Sequence, residues 1–177
     1  MQTAIQVRLL SEVAERELRE LSDVLIDCVE AGASVSFMYP MTREKAEVFW
    51  RHAAECLGRR ERLILVAEDS AGTIVGTVQV ILDQPENQPH RADVSKMLVH
   101  RRARRQGVGA ALLTAAEEAA RSAGKTLLVL DTANDTAARL YERHGWQRCG
   151  EIPNYALWPG GGFCATLVYY KSLPPMQ

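Results

Sequence analysis

The sequence predicts a mixed α/β fold, one domain over residues 1–177, from three observations. Stretches with a two-residue or continuous apolar pattern are interleaved with stretches of 3.6-residue period, in the order β-α-α-β-β-β-α-β-α-β-β. A chain of 177 residues, 47% of them hydrophobic, can bury one substantial core. No internal repeat, linker or low-complexity stretch divides it.

Each element has its own signal. "AIQVRLL" reads as a short first strand. "SEVAERELRELSDVLIDCVEAG" reads as a helix with Leu18, Leu21, Leu25, Cys28 and Val29 on one face and Gly32 as its stop. "ASVSFMYPM" is a loop of unusual apolar content. Thr42 caps a second helix, whose Ala46, Phe49, Trp50, Ala53 and Leu57 share a face and which ends at Gly58. "ERLILVAED" and "TIVGTVQVIL", joined by "SAG", form a hairpin. After the polar loop "DQPENQPH", "RADVSKMLVH" is the next strand. A third helix is expected from Gly107 to Ala123, with Val108, Ala111, Leu112, Ala115, Ala119 and Ala123 as its apolar stripe. Thr114, Glu117, Glu118 and Arg121 make its wet side, with Glu117 and Arg121 paired at i,i+4. "TLLVLDT" is a buried strand and "NDTAARLYERHG" a short helix. "WQRCGEI" and "FCATLVYYKSL" close the sheet around a turn-rich loop, "PNYALWPGGG".

Composition removes several function classes. A net charge of -1 argues against a non-specific nucleic-acid binder. Cys28, Cys56, Cys149 and Cys164 are scattered without a C-x-x-C pair, so neither a metal site nor a disulfide framework is expected, and free thiols suit a cytoplasmic setting. The four histidines lack metal-like spacing. No apolar stretch approaches a membrane span, and the N-terminus lacks the apolar core of a signal peptide, so no membrane partner is expected.

The chemistry is concentrated in "HRRARRQGVG", between the fourth strand and the third helix. Three readings compete. A nucleic-acid patch lacks interleaved aromatic residues. A dinucleotide loop needs a third glycine where Leu112 stands, although Asp131 lies about 20 residues on, where a ribose-binding acid would sit. "GKT" at Gly124–Thr126 is no P-loop, because its first glycine position holds Ala119. The third reading is a phosphate cradle. A helix N-terminus offers unpaired N–H groups and a positive dipole end, Gly107 and Gly109 permit close approach, and the arginines add charge.

"RRQGVG" resembles the Q/R-x-x-G-x-G/A signature of the GNAT superfamily of acyl-CoA-dependent N-acetyltransferases, through Arg104, Gly107 and Gly109. "NDTAARLYERHGW" resembles that superfamily's N-x-x-A-x-x-x-Y-x-x-x-G-F/W segment, through Asn134, Ala137, Tyr141, Gly145 and Trp146. Over residues 30 to 173, "GASVSFM", "RADVSKMLV", "LLVLDT" and "GEIPNYAL…CATLVYYKSL" resemble the tabtoxin-resistance acetyltransferase group within it.

The resemblance implies a single acetyltransferase domain with a central mixed, largely antiparallel sheet of about seven strands, splayed in the middle and flanked by about four helices. It implies acetyl-CoA as cosubstrate and no metal. Arg104, Arg105, Gln106, Gly107, Val108, Gly109 and Ala110 would hold the pyrophosphate; Met97, Leu98 and Val99 would pair with pantetheine, aided by Asn134. An N–H near Leu98 would polarise the thioester oxygen. Tyr141 would protonate the leaving thiolate. The general base would be Asp93 or Asp131, the first standing where the tabtoxin-resistance group has glutamate. Ser34, Phe37 and Met38 would shape one acceptor wall and Trp158 the opposite one. The acceptor would be a small molecule bearing an amine or a hydroxyl, toxin- or antibiotic-like. A protein N-terminal or lysine acetyltransferase and a non-catalytic CoA-binding module are the alternatives, and homodimers are common in the superfamily.

Overall fold

A computed structural model describes residues 5–174. Its elements are β1 (Gln6–Leu9), α1 (Glu15–Glu30), α2 (Arg43–Gly58), β2 (Arg62–Glu68), β3 (Ile74–Ile81), β4 (Arg91–Val99), α3 (Val108–Ser122), β5 (Leu127–Thr132), α4 (Asp135–Arg143), β6 (Gln147–Leu157) and β7 (Phe163–Ser172). The seven strands form one sheet in the order β1-β2-β3-β4-β5-β7-β6. Every neighbouring pair is antiparallel except β4 with β5. This is the mixed α/β class that the interleaved periodicities predict. Among the described residues, no helix is long and apolar enough to cross a membrane.

Strand alternation divides the core in two. On one face Leu65, Val78, Val94, Leu128 and Leu130 pack against Leu112 and Leu113 of α3 and Tyr141 of α4. On the other, Ile64, Val66, Ile74 and Leu98 pack against α1 and α2, around Leu21, Leu25 and Trp50. Each fully buried leucine contributes roughly 1.5–3 kcal/mol.

Local chemistry fixes the turns. Asp69 Oδ1 accepts from the backbone N–H groups of Ala71 and Thr73, both at 3.0 Å, closing the β2–β3 hairpin. Thr42 caps α2 by accepting from the Lys45 N–H at 3.2 Å. Thr42→Ala is expected to lower stability by about 1 kcal/mol, read as a shifted urea midpoint at unchanged slope.

Three expectations need correction. Glu117 is buried rather than on the wet side of α3: it accepts from Trp146 Nε1 at 2.8 Å and Lys171 Nζ at 2.6 Å, and it does not pair with Arg121. The α3 stripe is therefore Val108, Leu112, Leu113, Ala116 and Ala120. Alanines suit either side of a helix, and the two leucines set its rotation. Third, β6 continues to Leu157, through a stretch expected to be loop. A register shift between Ile152 and Ala156, with Asn154 at φ 53°, absorbs Pro153 without ending the pairing.

Candidate active site

The site begins where the sheet opens. Thr77 stands opposite Leu98 and Gln79 opposite Ser95, so three steps of β4 face two of β3. The extra residue is a bulge at Lys96, whose φ of 52° is left-handed and uncommon for a residue with a side chain. β4 pairs with β5 only where Arg91–Asp93 meet Leu127–Val129. β5 instead pairs with β7 along its whole length. Beyond Asp93, among the described residues, the two parallel strands no longer pair and a gap opens between them. His100 N–H donates to the Val75 carbonyl, so by alternation the Leu98 amide faces β3 and the Val99 amide faces the gap. Of the amides near Leu98, where an N–H was expected to be free, that of Leu98 itself is turned toward β3 and that of Val99 toward the gap.

The arginine-glycine turn follows β4. Arg101 is committed to Asp27, donating Nε to Oδ1 at 2.7 Å and its N–H to Oδ2 at 2.8 Å. Arg102 lies 3.7 Å from Asp69. Arg104 Nε donates to the Val99 carbonyl at 3.0 Å, which ties the turn back to the strand. Gln106 Nε2 does the same on the Arg102 carbonyl, also at 3.0 Å. Among the described residues Arg105 has no ion-pair partner, and it is exposed. Arg105 and Gly107 both have positive φ, 62° and 80°, and α3 starts immediately after. The first-turn amides of Val108, Gly109 and Ala110 have no carbonyl within the helix to bond and stand at its positive end. Gly109 serves packing: an added Cβ would lie 3.2 Å from Leu140 Cδ2.

The far side of the gap is built by β5 and α4. Asp131, exposed at the carboxyl end of β5, accepts from the buried Thr166 hydroxyl at 2.7 Å. Asn134 caps α4 with its Oδ1 on the Ala137 N–H at 2.9 Å, and among the described residues its side-chain N–H groups have no partner. Tyr141 is 4% exposed and packs beside Trp146 and Tyr169. Burial, with the Asp131 charge added, pushes its phenol well above the ordinary range. Asp93 sits elsewhere, in the paired part of the sheet, held by Arg91 and by Gln84 Nε2 at 3.1 Å.

Lys96 escaped the sequence reading. Its Nζ donates to Ser36 Oγ at 3.1 Å and stands 5.7 Å from the centre of the Phe49 ring. Burial lowers its pKa, and the Asp131 charge opposes that shift. A lysine inside an apolar strand pattern was the one available signal.

The expected acceptor walls meet each other. Ser34 Oγ donates to the Leu157 carbonyl at 3.0 Å, and the Tyr39 N–H to the Pro159 carbonyl at 3.0 Å. The 33–41 loop and the Trp158 turn therefore form one continuous wall, not two opposed ones. Met38 and Trp158 are each 40% exposed, whereas Phe37 packs edge-on against Phe49. A separate cavity of about 320 Å³ beside α1 is lined by Glu20, Asp23, Asp27 and His100, and neither Asp131 nor Tyr141 reaches it.

Comparison with known proteins gives a consistent result. A model of the acetyltransferase (GNAT) family matches residues 23–146. An uncharacterized N-acetyltransferase from the hisH–hisA intergenic region of Azospirillum brasilense is 30% identical over 152 residues, 85% of this chain and 84% of that protein. The fold matches the crystal structure of a ribosomal-protein-alanine N-acetyltransferase from Brucella melitensis, with a TM-score of 0.77 and 24% identity over 95% of this chain and 99% of that one. It also matches a phosphinothricin acetyltransferase from Sinorhizobium meliloti in complex with acetyl-CoA, with a TM-score of 0.78 and 16% identity over 100% of this chain and 95% of that one. The chain belongs to the GNAT acetyltransferase family and is an N-acetyltransferase.

Proposed function

We propose that the chain moves the acetyl group of acetyl-CoA directly to an amine, or a hydroxyl, of a small molecule bound beside it. The observation that carries this reading is the parting of β4 and β5, which leaves Asp131 and Tyr141 on one side of the gap and the Lys96 bulge on the other. The donor set suits acetyl-CoA. Unpaired first-turn amides and Arg105 match a pyrophosphate, and the strand edge along Met97–Val99 matches the amides of pantetheine.

Acetyl-CoA, when bound, supplies an activated acyl group on a thioester. Asp131 takes a proton from the acceptor ammonium, directly or through one water, so that the nitrogen lone pair can form the new C–N bond. Thr166 fixes the Asp131 carboxylate by its hydrogen bond. The gap-facing Val99 amide donates to the oxygen on which charge develops. Tyr141, a phenol that is protonated at neutral pH and that burial holds further from ionisation, donates toward the sulfur as the C–S bond breaks. Asp131 passes the first proton to solvent before it takes the second amine proton, and solvent then restores the Tyr141 proton, so that one proton is released per acetyl group moved.

Asp131 is favoured over Asp93 because Arg91 and Gln84 already occupy the latter. The resemblance to the tabtoxin-resistance group supports a toxin- or antibiotic-like acceptor. Release of free thiol from acetyl-CoA, measured across small amines and an N-terminal peptide amine, tests the activity and separates the two acceptor classes. Tyr141→Phe is expected to lower kcat roughly 10- to 100-fold with little change in acetyl-CoA affinity. Equal loss of both would make Tyr141 a packing residue only.

A further inference from the structure

Three donor side chains stand on the sheet face that carries Asp131, and among the described residues they are only partly answered. Arg62 on β2 donates Nη1 to Gln79 Oε1 at 2.6 Å. Gln79, on β3, is fully buried, and its Nε2 has no partner among the described residues. Arg62 Nε is also buried without a partner. Lys96, one strand further on, uses one N–H on Ser36 and keeps two. The charges of both Arg62 and Asp131 act on it. Among the described residues, neither Arg62 nor Lys96 has a carboxylate within salt-bridge distance. Asp93, the acid on the same row of the face as Arg62, is already held by Arg91 and Gln84.

Buried donors without acceptors destabilise a fold, and two cations with no carboxylate in contact add repulsion. Such a group persists where a ligand completes it. We propose that Arg62, Gln79 and Lys96 form a subsite for an oxyanion carried by the acceptor, so that the acceptor class is a small amine bearing a carboxylate or a phosphonate-type group. This deepens the acetyl-transfer reading above and rests on it. The strand spacing sets the reach. Gln79 is one strand from β4 and Arg62 two, or about 5 and 10 Å, so the anion and the reacting amine are separated by a few bonds. The same two cations repel polyamines, whose extra positive charges would enter the subsite.

The test uses matched acceptors with the full chain and acetyl-CoA: a short amino acid, its primary amide, the amine without the carboxyl group, and the corresponding aminoalkylphosphonate. The acid is expected to exceed the amide and the plain amine in kcat/KM by roughly 10- to 100-fold, the worth of one or two charge-assisted contacts. The phosphonate arm shows which oxyanion is preferred. Lys96→Met removes the charge while keeping most of the side chain's length, and should raise KM for the acid without changing KM for acetyl-CoA. Lys96→Arg should restore much of the preference. Equal use of acid and amide by the native chain overturns the subsite and leaves acetyl transfer standing. If no amine is turned over, the transfer reading fails separately. Calorimetry of the acid against CoA-loaded chain then decides: binding lost in Lys96→Met supports the subsite, and no binding to the native chain overturns it.

Discussion

Asp131→Asn is expected to lower kcat/KM for the acceptor by roughly 10²- to 10⁴-fold, the contribution of a positioned general base. Asparagine has nearly the shape of aspartate, and its carbonyl oxygen can still accept from Thr166, so the end of β5 keeps its geometry. It cannot take a proton from an ammonium. The substitution also removes the negative charge that acts on both Lys96 and Tyr141. Affinity for acetyl-CoA should change little, because the amides of α3 and Arg105 lie on the other side of the gap. Thiol-release kinetics under saturating acetyl-CoA separate the two effects. A variant that loses acetyl-CoA affinity but keeps turnover would place Asp131 in cosubstrate binding and return the base to Asp93. Thr166→Val offers an internal control, since it leaves the carboxylate in place but frees it to swing, and a smaller loss is expected.

The element order was legible because periodicity changes sharply from strand to helix, and because Thr42 and Asn134 mark helix starts. The rotation of α3 was not legible. Its alanines carry little preference for either side, and the partners that bury Glu117 come from residues 146 and 171. The length of β6 was hidden by Pro153, since nothing local announces a bulge that absorbs a proline. Asp131, Asn134 and Tyr141 could be put forward together as candidates because they lie in one contiguous segment of recognisable spacing. Arg62, Gln79 and Lys96 could not. Each is a polar residue in a different strand, and each alone reads as a solvated face. Only the sheet order brings them together. The arginine turn shows the converse. Four like charges in sequence read as one anion site, yet the fold commits Arg101 to Asp27 and Arg104 to the Val99 carbonyl, leaving Arg105 exposed.

Gly76→Val is expected to destabilise the protein more than any single change in the gap. A Cβ at Gly76 would stand 3.0 Å from Val108 Cγ1, 3.1 Å from Leu112 Cδ1 and 3.1 Å from the Leu98 carbonyl oxygen. Val108 and Leu112 are buried, and the third neighbour is backbone, so none can swing aside. Overpacking of this kind costs about 1–3 kcal/mol for a few added carbons. Removing a glycine restricts the unfolded chain and returns only about 0.4–1 kcal/mol, so the contact term wins. Gly76→Ala should sit near the lower end of that range and Gly76→Val at or beyond the upper end, both read from urea midpoints. The effect also reaches the site. Val108 is the first residue of α3, and Leu98 belongs to the strand that borders the gap. Pushing α3 off the sheet moves its unpaired amides relative to that strand, and on the proposed binding of acetyl-CoA the two must be in register to hold its two ends. Gly76→Ala should therefore weaken acetyl-CoA binding even where most of the protein stays folded, a loss that calorimetry below the unfolding transition can measure. An alanine variant with native midpoint and native affinity would mean that α3 does not rest on β3 as described.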